Sequence, residues 1–437
     1  MSGARFEPSG PLSGTYEPPA DKSISHRAAL FAAMSGGPVA VANYLDAADT
    51  RSTLDALTRV GVGVDDDGER LTIRGVGLRG AVEAPGGRLD VGNSGTLLRL
   101  LPGWLAGQPR GAWTLDGDES IRRRPVDRIA RPLAEMGADV DAREGRFTPL
   151  TVRGGELNGI EYALPIASAQ VKSCVLIAGM LAEGATTVVE GRPSRDHTER
   201  ILARCGVPFE RDGLRVTVAR VDALELDSIA VPGDPSSAAF MVAAACLVPG
   251  SRVAIRNVGL NATRTGFLRI ARRMGAAIGG DLEPPGAFSP DEPVGELDVA
   301  HGPLTGMEVA PDEVPATIDE LTLVALMGAF AEGDTVVRGA AELRHKESDR
   351  IAAVVDGLRA LGADIEALDD GFAVHGTGAP LAGGTIGARG DHRIAMLGAI
   401  AGLASRDGVE VIGMDAAAIS YPGFESDLRA LLEAPEG

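Results

Sequence analysis

The stretch GLRALGADIEALDDGFAVHG (357–376) carries the pattern that decides the fold. The end of an amphipathic helix is followed by a glycine, Gly362, and then by two strand-like segments around the turn sequence DDG. Glycine is typical of the left-handed residue that ends a helix, and Asp-Gly is typical of a hairpin turn. The stretch therefore predicts a helix, a glycine cap and a β-hairpin in immediate succession.

The same pattern recurs along the chain, in full at 54–75, 131–154, 200–220 and 269–283 and truncated at 427–433. Its other marker glycines are Gly61, Gly137, Gly206 and Gly275. Between the copies lie helices that are apolar on nearly every face, which is typical of buried helices. Each unit therefore reads as βαβαββ, and a supersecondary unit copied in this way indicates a repeat architecture. We predict an α/β fold of two similar domains, each with three such units.

The domain boundaries follow from where the chain would cross between the two sets of units. The string AVPGDPSSAAF near 230–240 is the expected return crossing, and Lys22 lies at the other one if the first strand belongs with the C-terminal half. We therefore expect one domain from 1–20 plus 231–437 and an inserted domain from 21–230. A functional site is expected in the cleft between them.

Composition excludes several classes of protein. The net charge of −19 argues against a nucleic-acid or membrane-surface partner, since there is no net basic field. Cys174, Cys205 and Cys246 lie in apolar strings without metal or redox spacing, which favours buried thiols in a reducing compartment. The N-terminus lacks an apolar signal-peptide core, and no apolar run is long enough to span a membrane. We expect a cytoplasmic monomer that binds small molecules.

Lysine is rare in this chain. Of 42 basic residues only Lys22, Lys172 and Lys346 are lysines, and all three lie in polar, motif-like strings. A compact ammonium with a tunable pKa is not replaceable by a guanidinium. The three positions therefore indicate a functional site.

Polar strings precede the buried helices, where backbone N–H groups favour anions. Each string also permits a simpler interpretation: a helix cap for NSGT, a solvated face for RRR, a helix-terminal carboxylate for Asp319 and an ion-paired turn around Lys346. If several of these helix starts converge, they predict a deep site for anionic substrates. The strings are DKSISHR (21–27), GNSGTLLR (92–99), RRRP (122–125), SAQVKS (168–173), SRDHTER (194–200), IDEL (318–321), HKESDR (345–350) and DHRIAM (391–396).

Together these eight strings, in this order, resemble the 5-enolpyruvylshikimate-3-phosphate synthase family. The resemblance runs from Lys22 to about Phe424, and it implies an inverse α/β barrel in each domain. It also implies transfer of the enolpyruvyl group of phosphoenolpyruvate to the 5-hydroxyl of shikimate-3-phosphate, with release of phosphate and without a cofactor. Such a reaction belongs to the shikimate pathway of aromatic amino acid biosynthesis.

The resemblance also implies roles for individual residues. Asp319 would be the base for the 5-hydroxyl, Glu347 the acid for the methylene carbon, and Lys22 a further catalytic residue. Shikimate-3-phosphate would be held by Lys22, Ser23, Arg27, Ser168, Ala169, Gln170, Ser194, Asp319 and Lys346. Phosphoenolpyruvate would be held by Lys22, Gly95, Arg124, Gln170, Arg350 and Arg393.

One residue that some members of the family use to bind phosphoenolpyruvate is absent from this chain. Some members carry a lysine where this chain has Ile419, so that phosphoenolpyruvate contact is missing. Gly95 is retained, which predicts inhibition by glyphosate, a phosphoenolpyruvate mimic in this family.

The alternatives are a UDP-N-acetylglucosamine enolpyruvyl transferase and an inactive scaffold of the same fold. The first usually has a reactive cysteine in the loop before the clamp arginine, and the loop DGDESIRRRP has none. Intact charged motif residues argue against the second.

Overall fold

A repeated βαβαββ unit builds the computed structural model, which describes residues 3–68 and 70–434. In this part of the chain the α-helices are α1 (Lys22–Met34), α2 (Ala48–Arg59), α3 (Gly95–Ala106), α4 (Glu119–Arg123), α5 (Asp127–Glu135), α6 (Ala169–Gly179), α7 (His197–Arg204), α8 (Pro235–Leu247), α9 (Gly266–Arg273), α10 (Val314–Thr317), α11 (Leu321–Phe330), α12 (Arg350–Ala360), α13 (His392–Ala404) and α14 (Phe424–Glu433). Within the described ranges, no helix combines the length and the apolar character needed to cross a membrane.

The strands are short, as expected for this repeat. They are β1 (Gly3–Phe6), β2 (Ser13–Tyr16), β3 (Pro38–Ala42), β4 (Gly63–Asp66), β5 (Leu71–Arg74), β6 (Arg88–Asp90), β7 (Ala112–Asp116), β8 (Asp139–Arg143), β9 (Phe147–Arg153), β10 (Glu161–Ala163), β11 (Ala185–Val189), β12 (Phe209–Asp212), β13 (Arg215–Ala219), β14 (Ser228–Ala230), β15 (Arg252–Gly259), β16 (Ala277–Gly279), β17 (Val294–Ala300), β18 (Glu308–Val309), β19 (Glu332–Val337), β20 (Ile365–Leu368), β21 (Gly371–Thr377), β22 (Gly384–Gly387) and β23 (Val409–Ile412). Short 3₁₀ helices occur at Pro85–Gly87, Ala341–His345 and Met414–Ile419.

The chain divides into two compact units. The inserted unit comprises Lys22–Val231 and Phe288–Glu292. The terminal unit comprises the residues up to Asp21, Pro232–Ala287 and the residues from Pro293 onward.

The described part of the inserted unit contains three four-stranded sheets with one common topology. Their strand orders are β14-β3-β5-β4, β6-β7-β9-β8 and β10-β11-β13-β12. In each sheet the first pair of strands is parallel and the other two pairs are antiparallel. The second and third sheets follow the predicted βαβαββ order directly, for example β6-α3-β7 and then α5-β8-β9.

The terminal unit repeats this topology twice in full, in sheets β16-β17-β15-β2 and β18-β19-β21-β20. Its third sheet, β1-β23-β22, is smaller in the residues that the structure describes, because the last repeat ends in α14 and β1 supplies the antiparallel strand. The predicted α/β class with repeated βαβαββ units is thereby confirmed.

Two strands pair in a repeat other than the one that follows them in the chain. β2 precedes α1 in the chain but pairs in parallel with β15 of the terminal unit. β14 precedes α8 but pairs in parallel with β3 of the inserted unit. Both pairings arise because the chain passes from one unit to the other just after β2 and again just after β14.

Buried helices form the core of each unit, and amphipathic helices such as α2, α5 and α7 cover it. In the inserted unit the buried helices are α1, α3 and α6, and every residue of α1 except Lys22 is buried. In the terminal unit they are α8, α11 and α13. α3 and α6 approach so closely that a Cβ on Gly103 would lie 2.4 Å from the Cys174 carbonyl oxygen. Close backbone approach of this kind requires glycine.

The marker glycines have the predicted left-handed conformation. Their φ values are +97° at Gly61, +96° at Gly137, +67° at Gly206, +100° at Gly275 and +95° at Gly362. Each follows directly on the end of an amphipathic helix, so the sequence pattern is explained by one backbone requirement repeated five times.

Candidate functional site

In the terminal unit, Asp319 is surrounded by the cations of the HKESDR motif. Lys346 Nζ lies 3.1 Å from Asp319 Oδ1, and Arg350 Nη1 lies 3.3 Å from the same oxygen. Asp319 precedes the buried helix α11, and Arg350 begins α12 with Asp349 as its cap. The structure therefore brings together three of the predicted site residues that are separated by up to 31 positions in sequence.

Arg350 is completely buried and contacts three carboxylates. Its Nη2 lies 2.6 Å from Glu347 Oε2, and its Nε lies 2.8 Å from Asp391 Oδ2. Burial alone would lower the pKa of Arg350, but Asp391, Glu347 and Asp319 raise it instead. Burial alone would raise the pKa of Asp391, but Arg350 lowers it below its usual value. Arg350 is consequently a fixed cation between the two predicted proton-transfer groups.

Arg393, at the start of α13, is held by the residues that precede α11. Its Nη1 donates to the Asp319 carbonyl oxygen at 2.9 Å and lies 3.4 Å from Glu320 Oε1. Burial raises the pKa of Glu320, against the lowering effect of Arg393. Ser236, in the first turn of α8, donates a short hydrogen bond to Glu320 Oε1. The N-termini of α8, α11 and α13 are thus connected through polar contacts.

A second buried cluster, not predicted from sequence, supports these helix starts. Arg264 Nη2 lies 2.8 Å from Asp234 Oδ1 and 3.3 Å from Asp21 Oδ2, and it donates to Ser236 Oγ at 2.9 Å. Burial raises the pKa of Asp234, and the neighbouring Asp21 adds to the effect. Arg264 lies in an ordinary loop string, NATRTG, and gave no sequence signal, whereas its partner Asp21 begins the string DKSISHR and Asp234 lies in the crossing segment.

In the inserted unit, Lys22 begins α1 and pairs with an acid from the next helix. Its Nζ lies 3.0 Å from Asp49 Oδ2, and its side chain is 20% exposed. Asp49 is buried in the first turn of α2. The Lys22 side chain is therefore partly accessible, and the contact with Asp49 orients its ammonium.

Arg27 and Ser23 belong to a buried network that connects three helices. Arg27 donates from Nε to Thr198 Oγ1 at 2.9 Å and from Nη2 to Ser173 Oγ at 2.8 Å. Arg195 Nη1 donates to Ser23 Oγ at 3.1 Å. Arg27 is only 1% exposed, so the structure shows it chiefly as the link between α1, α6 and α7.

Gly95 lies directly beneath two guanidinium groups. A Cβ on Gly95 would lie 2.6 Å from Arg124 Nη1 and 2.9 Å from Arg99 Nη1. Arg99 Nη1 also donates to the Gly95 carbonyl oxygen at 3.0 Å, and Arg124 Nη2 lies 3.4 Å from Asn93 Oδ1. The guanidinium groups of Arg99 and Arg124 therefore lie so close to Gly95 that an added methyl group would displace them.

The remaining predicted residues surround the start of α6. Ser168 is its N-cap and accepts from the Val171 N–H, while Ala169 and Gln170 are its first two residues. Ser194 donates a short hydrogen bond to Glu190 Oε1. Glu190 is a residue that sequence reasoning missed, since nothing in the string VVEGRP indicates a site.

Ile419 ends a 3₁₀ helix and packs against the hydrophobic core of the terminal unit. It supplies no cation, so this departure from the family pattern is a change in chemistry and not only in sequence. Among the residues that the structure describes, no group of His, Cys, Asp and Glu side chains has the arrangement of a metal site.

The two units differ in the charge of their predicted site residues. In the inserted unit, the strings at the starts of the helices supply mainly cations, namely Lys22, Arg27, Arg99, Arg124 and Arg195. In the terminal unit, three cations, Lys346, Arg350 and Arg393, contact carboxylates that include Asp319, Glu320, Glu347 and Asp391. The first composition suits the binding of anions, and the second suits both anion binding and proton transfer.

Comparisons with known proteins agree with this chemistry. Residues 6–428 match the family model for EPSP synthase (3-phosphoshikimate 1-carboxyvinyltransferase). The 3-phosphoshikimate 1-carboxyvinyltransferases of Shouchella clausii and Geobacillus kaustophilus are 45% and 46% identical to this chain, each over 96% of it and over 96% and 98% of their own lengths. EPSP synthase of Acinetobacter baumannii superimposes with a TM-score of 0.85 at 38% identity, covering 98% of both chains. The enolpyruvyl transferase NikO of Streptomyces tendae, at 18% identity and a TM-score of 0.74 over 98% of this chain and 96% of its own, shares the fold.

Proposed function

This chain belongs to the EPSP synthase family, the 3-phosphoshikimate 1-carboxyvinyltransferases, and from that premise we propose its reaction and its site. It transfers the enolpyruvyl group of phosphoenolpyruvate to the 5-hydroxyl of shikimate-3-phosphate and releases phosphate. The predicted site residues of both units act on one pair of substrates. All assigned residues belong to a single chain, so the proposal needs no second copy, and we propose a cytoplasmic monomer.

One observation carries the proposal: Arg350 contacts both carboxylates to which the chemistry assigns proton transfer. Its Nη1 is 3.3 Å from Asp319 and its Nη2 is 2.6 Å from Glu347. The planar guanidinium of Arg350 therefore holds a base and an acid at a fixed spacing. The ammonium of Lys346, 3.1 Å from Asp319, is a neighbouring cation that can bind the anionic substrate. Such preorganisation is what an addition reaction between two bound molecules requires.

The reaction proceeds by addition and elimination. Glu347 gives a proton to the methylene carbon of phosphoenolpyruvate, which leaves a cationic centre at the adjacent carbon. The 5-hydroxyl oxygen of shikimate-3-phosphate attacks that centre while Asp319 accepts the hydroxyl proton. The Glu347 carboxylate then takes a proton from the new methyl group of the tetrahedral intermediate while the bond to the phosphate oxygen breaks, which restores the carbon–carbon double bond. Asp319 gives its proton to the departing phosphate. Each proton-transfer group contributes about 10²–10⁴ in rate.

The contact between Arg350 and Glu347 also places the proposed acid beside an anion-binding group. Arg350 Nη2 lies 2.6 Å from Glu347 Oε2. An anion that this guanidinium binds therefore lies next to the carboxyl group that donates the proton.

Each substrate is assigned a set of residues that combines cations with neutral residues, and the set for shikimate-3-phosphate also contains the base Asp319. Lys22, Gly95, Arg124, Gln170, Arg350 and Arg393 bind phosphoenolpyruvate, and Lys22, Ser23, Arg27, Ser168, Ala169, Gln170, Ser194, Asp319 and Lys346 bind shikimate-3-phosphate. The contacts of Arg350 and Arg393 with Asp319 support the placing of the phosphoenolpyruvate anion beside the base. The contact of Lys346 with Asp319 supports a shared role at the acceptor hydroxyl.

A nucleotide-sugar acceptor is disfavoured by the chemistry of the cysteines. Cys174, Cys205 and Cys246 are all buried, and burial raises the pKa of each thiol to about 12. A buried thiol is a poor nucleophile or acid, and none of the three lies in the loop before Arg124. Their free, buried state is also what was expected of a protein in a reducing compartment.

The test is phosphate release from phosphoenolpyruvate with each acceptor offered separately. We expect release with shikimate-3-phosphate and none with UDP-N-acetylglucosamine. Asp319→Asn and Glu347→Gln should each reduce kcat by at least about 10²-fold. Asp356→Asn is the matched control, since Asp356 is an exposed carboxylate paired with Arg389, and it should retain full activity. Release with the nucleotide sugar, or full activity in Asp319→Asn, would refute the assignment.

A further inference from the structure

Lys172 is the one lysine to which no substrate contact has been assigned, and the structure surrounds it with carboxylates. It lies in the first turn of α6 and is only 1% exposed. Its Nζ lies 2.9 Å from Glu190 Oε2 and 2.7 Å from Glu199 Oε1. Both acids are buried as well. A lysine that is buried with two partners is costly to desolvate and is retained where its geometry has a function.

The function follows from the second oxygen of Glu190. Glu190 Oε1 accepts a short hydrogen bond from Ser194 Oγ, while Oε2 faces Lys172. The ammonium, the carboxylate and the serine hydroxyl therefore form one chain of contacts. Ser194 is 7% exposed and is a proposed ligand of shikimate-3-phosphate, so the chain runs from a buried charge to the substrate.

The proton of the Ser194 hydroxyl limits what this chain can do. A serine hydroxyl has one proton to donate, and in this structure Glu190 accepts it. A phosphate oxygen is also an acceptor, so the hydroxyl must turn from Glu190 to the ligand. That change costs little only if Glu190 keeps another strong donor, because a buried carboxylate without a partner is unstable. Lys172 is such a donor.

We propose that Lys172 is a positioning residue that controls the Ser194 hydroxyl through Glu190, and thereby sets the affinity for shikimate-3-phosphate. The ammonium satisfies Glu190 when Ser194 turns toward the ligand. The inference deepens the proposed function and rests on it. An arginine could not replace Lys172 equally well. The compact ammonium lies between the carboxylates of Glu190 and Glu199 in a buried part of α6, and a guanidinium is larger and planar.

The proposal predicts effects of opposite sign from two substitutions in one cluster. In Lys172→Met, Glu190 has lost its ammonium donor and holds the Ser194 hydroxyl more tightly. The hydroxyl is then less available to the ligand, so the KM for shikimate-3-phosphate should rise about tenfold. Glu190→Gln supplies an amide N–H that donates to Ser194 Oγ and releases the hydroxyl proton for the ligand. The same KM should then fall about threefold. In both variants kcat and the KM for phosphoenolpyruvate should stay within about twofold of the wild type, which a general loss of packing would not produce.

Ser194→Ala and Glu199→Gln provide the controls. In the Ser194→Ala background, Glu190→Gln should have no further effect, because the hydroxyl through which it acts is gone. Glu199 contacts the same ammonium and, in the described chain, shares no hydrogen bond with Ser194. Glu199→Gln therefore makes the same charge change and should leave the KM for shikimate-3-phosphate unaltered.

The experiment is steady-state kinetics with each substrate varied, together with the thermal unfolding temperature of every variant. If Lys172→Met does not fold, the sign of the Glu190→Gln effect and its dependence on Ser194 decide the question. The proposal is overturned if Glu190→Gln acts equally in the Ser194→Ala background, if it raises the KM, or if Glu199→Gln has the same effect. Failure of the wild type to use shikimate-3-phosphate would refute the proposed function and is seen before any variant is compared.

Discussion

At the scale of single residues, lysine and arginine differ in the geometry of their contacts with acids. Lys22 pairs with Asp49 and Lys346 with Asp319, while Lys172 pairs with both Glu190 and Glu199, in each case through the one nitrogen of the ammonium. Arg350 contacts three acids at once through the separate nitrogens of its guanidinium. A planar fork suits several directed contacts, whereas an ammonium suits a compact one. The rarity of lysine in the sequence therefore indicated where the site residues lie. The acids that pair with the lysines could be identified only from the structure.

Gly95 provides the sharpest prediction at this scale. A methyl group at this position would overlap Arg124 Nη1, which lies 2.6 Å from the Cβ site, and would crowd Arg99. Gly95 begins α3 without a left-handed backbone, so alanine fits the helix and the arginine side chains must move. We expect Gly95→Ala to raise the KM for phosphoenolpyruvate about tenfold, with kcat and the thermal unfolding temperature nearly unchanged.

The control is Gly155→Ala, because a Cβ at Gly155 meets no atom within 4 Å. It should leave both KM values unaltered. Glyphosate should inhibit the wild type at millimolar concentration and inhibit Gly95→Ala less, if it uses the same guanidinium groups. Equal KM values for phosphoenolpyruvate in Gly95→Ala and the wild type would contradict the assignment of Arg124.

At the scale of elements, the regular parts of the repeat were predictable and the pairings at the crossings were not. The five marker glycines and their hairpins follow from local backbone chemistry, which the sequence expresses directly. The apolar helices follow from composition alone. The pairing of β2 with β15 and of β14 with β3 depends on the route of the chain between units, for which strand sequences carry no signal.

The marker glycines also give a stability prediction. Gly362 has φ of +95°, where an alanine side chain is strained, and the cost is about 1–2 kcal/mol. Gly387 lies in β22 without a positive φ, and a Cβ there meets no atom within 4 Å. We expect Gly362→Ala to lower the unfolding midpoint in urea and Gly387→Ala to leave it nearly unchanged. Equal midpoints for the two variants would show that Gly362 is not needed for the turn.

At the scale of the whole molecule, contacts between distant parts of the chain were the least predictable. Residues 288–292 come from the C-terminal half of the sequence but pack with the inserted unit. Arg200 of α7 is buried and donates to the carbonyl oxygens of Ser289 and Asp291, and His197 Nδ1 lies 2.6 Å from Glu292 Oε1. Ser194 is the residue of the string SRDHTER that is assigned to a substrate, whereas His197 and Arg200 of the same string make these structural contacts.

The distribution of tryptophan makes the two units separately observable. Both tryptophans, Trp104 in α3 and Trp113 in β7, are buried in the inserted unit. Tryptophan fluorescence therefore reports unfolding of the inserted unit, while far-ultraviolet circular dichroism reports both units. A chain with two hydrophobic cores need not unfold in one transition.

A pair of glycine substitutions tests whether each unit has its own stability. Gly103 lies between α3 and α6, where a Cβ would be 2.4 Å from the Cys174 carbonyl oxygen. Gly398 lies in α13 of the terminal unit, where a Cβ would be 2.4 Å from Ile386 Cγ2. Overpacking of this kind costs about 1–3 kcal/mol. Gly103→Ala should lower the midpoint of the fluorescence transition in urea, whereas Gly398→Ala should lower only the midpoint of a component seen by circular dichroism. If both substitutions move the fluorescence midpoint equally, the two units unfold as one, and the repeats depend on each other across the whole chain.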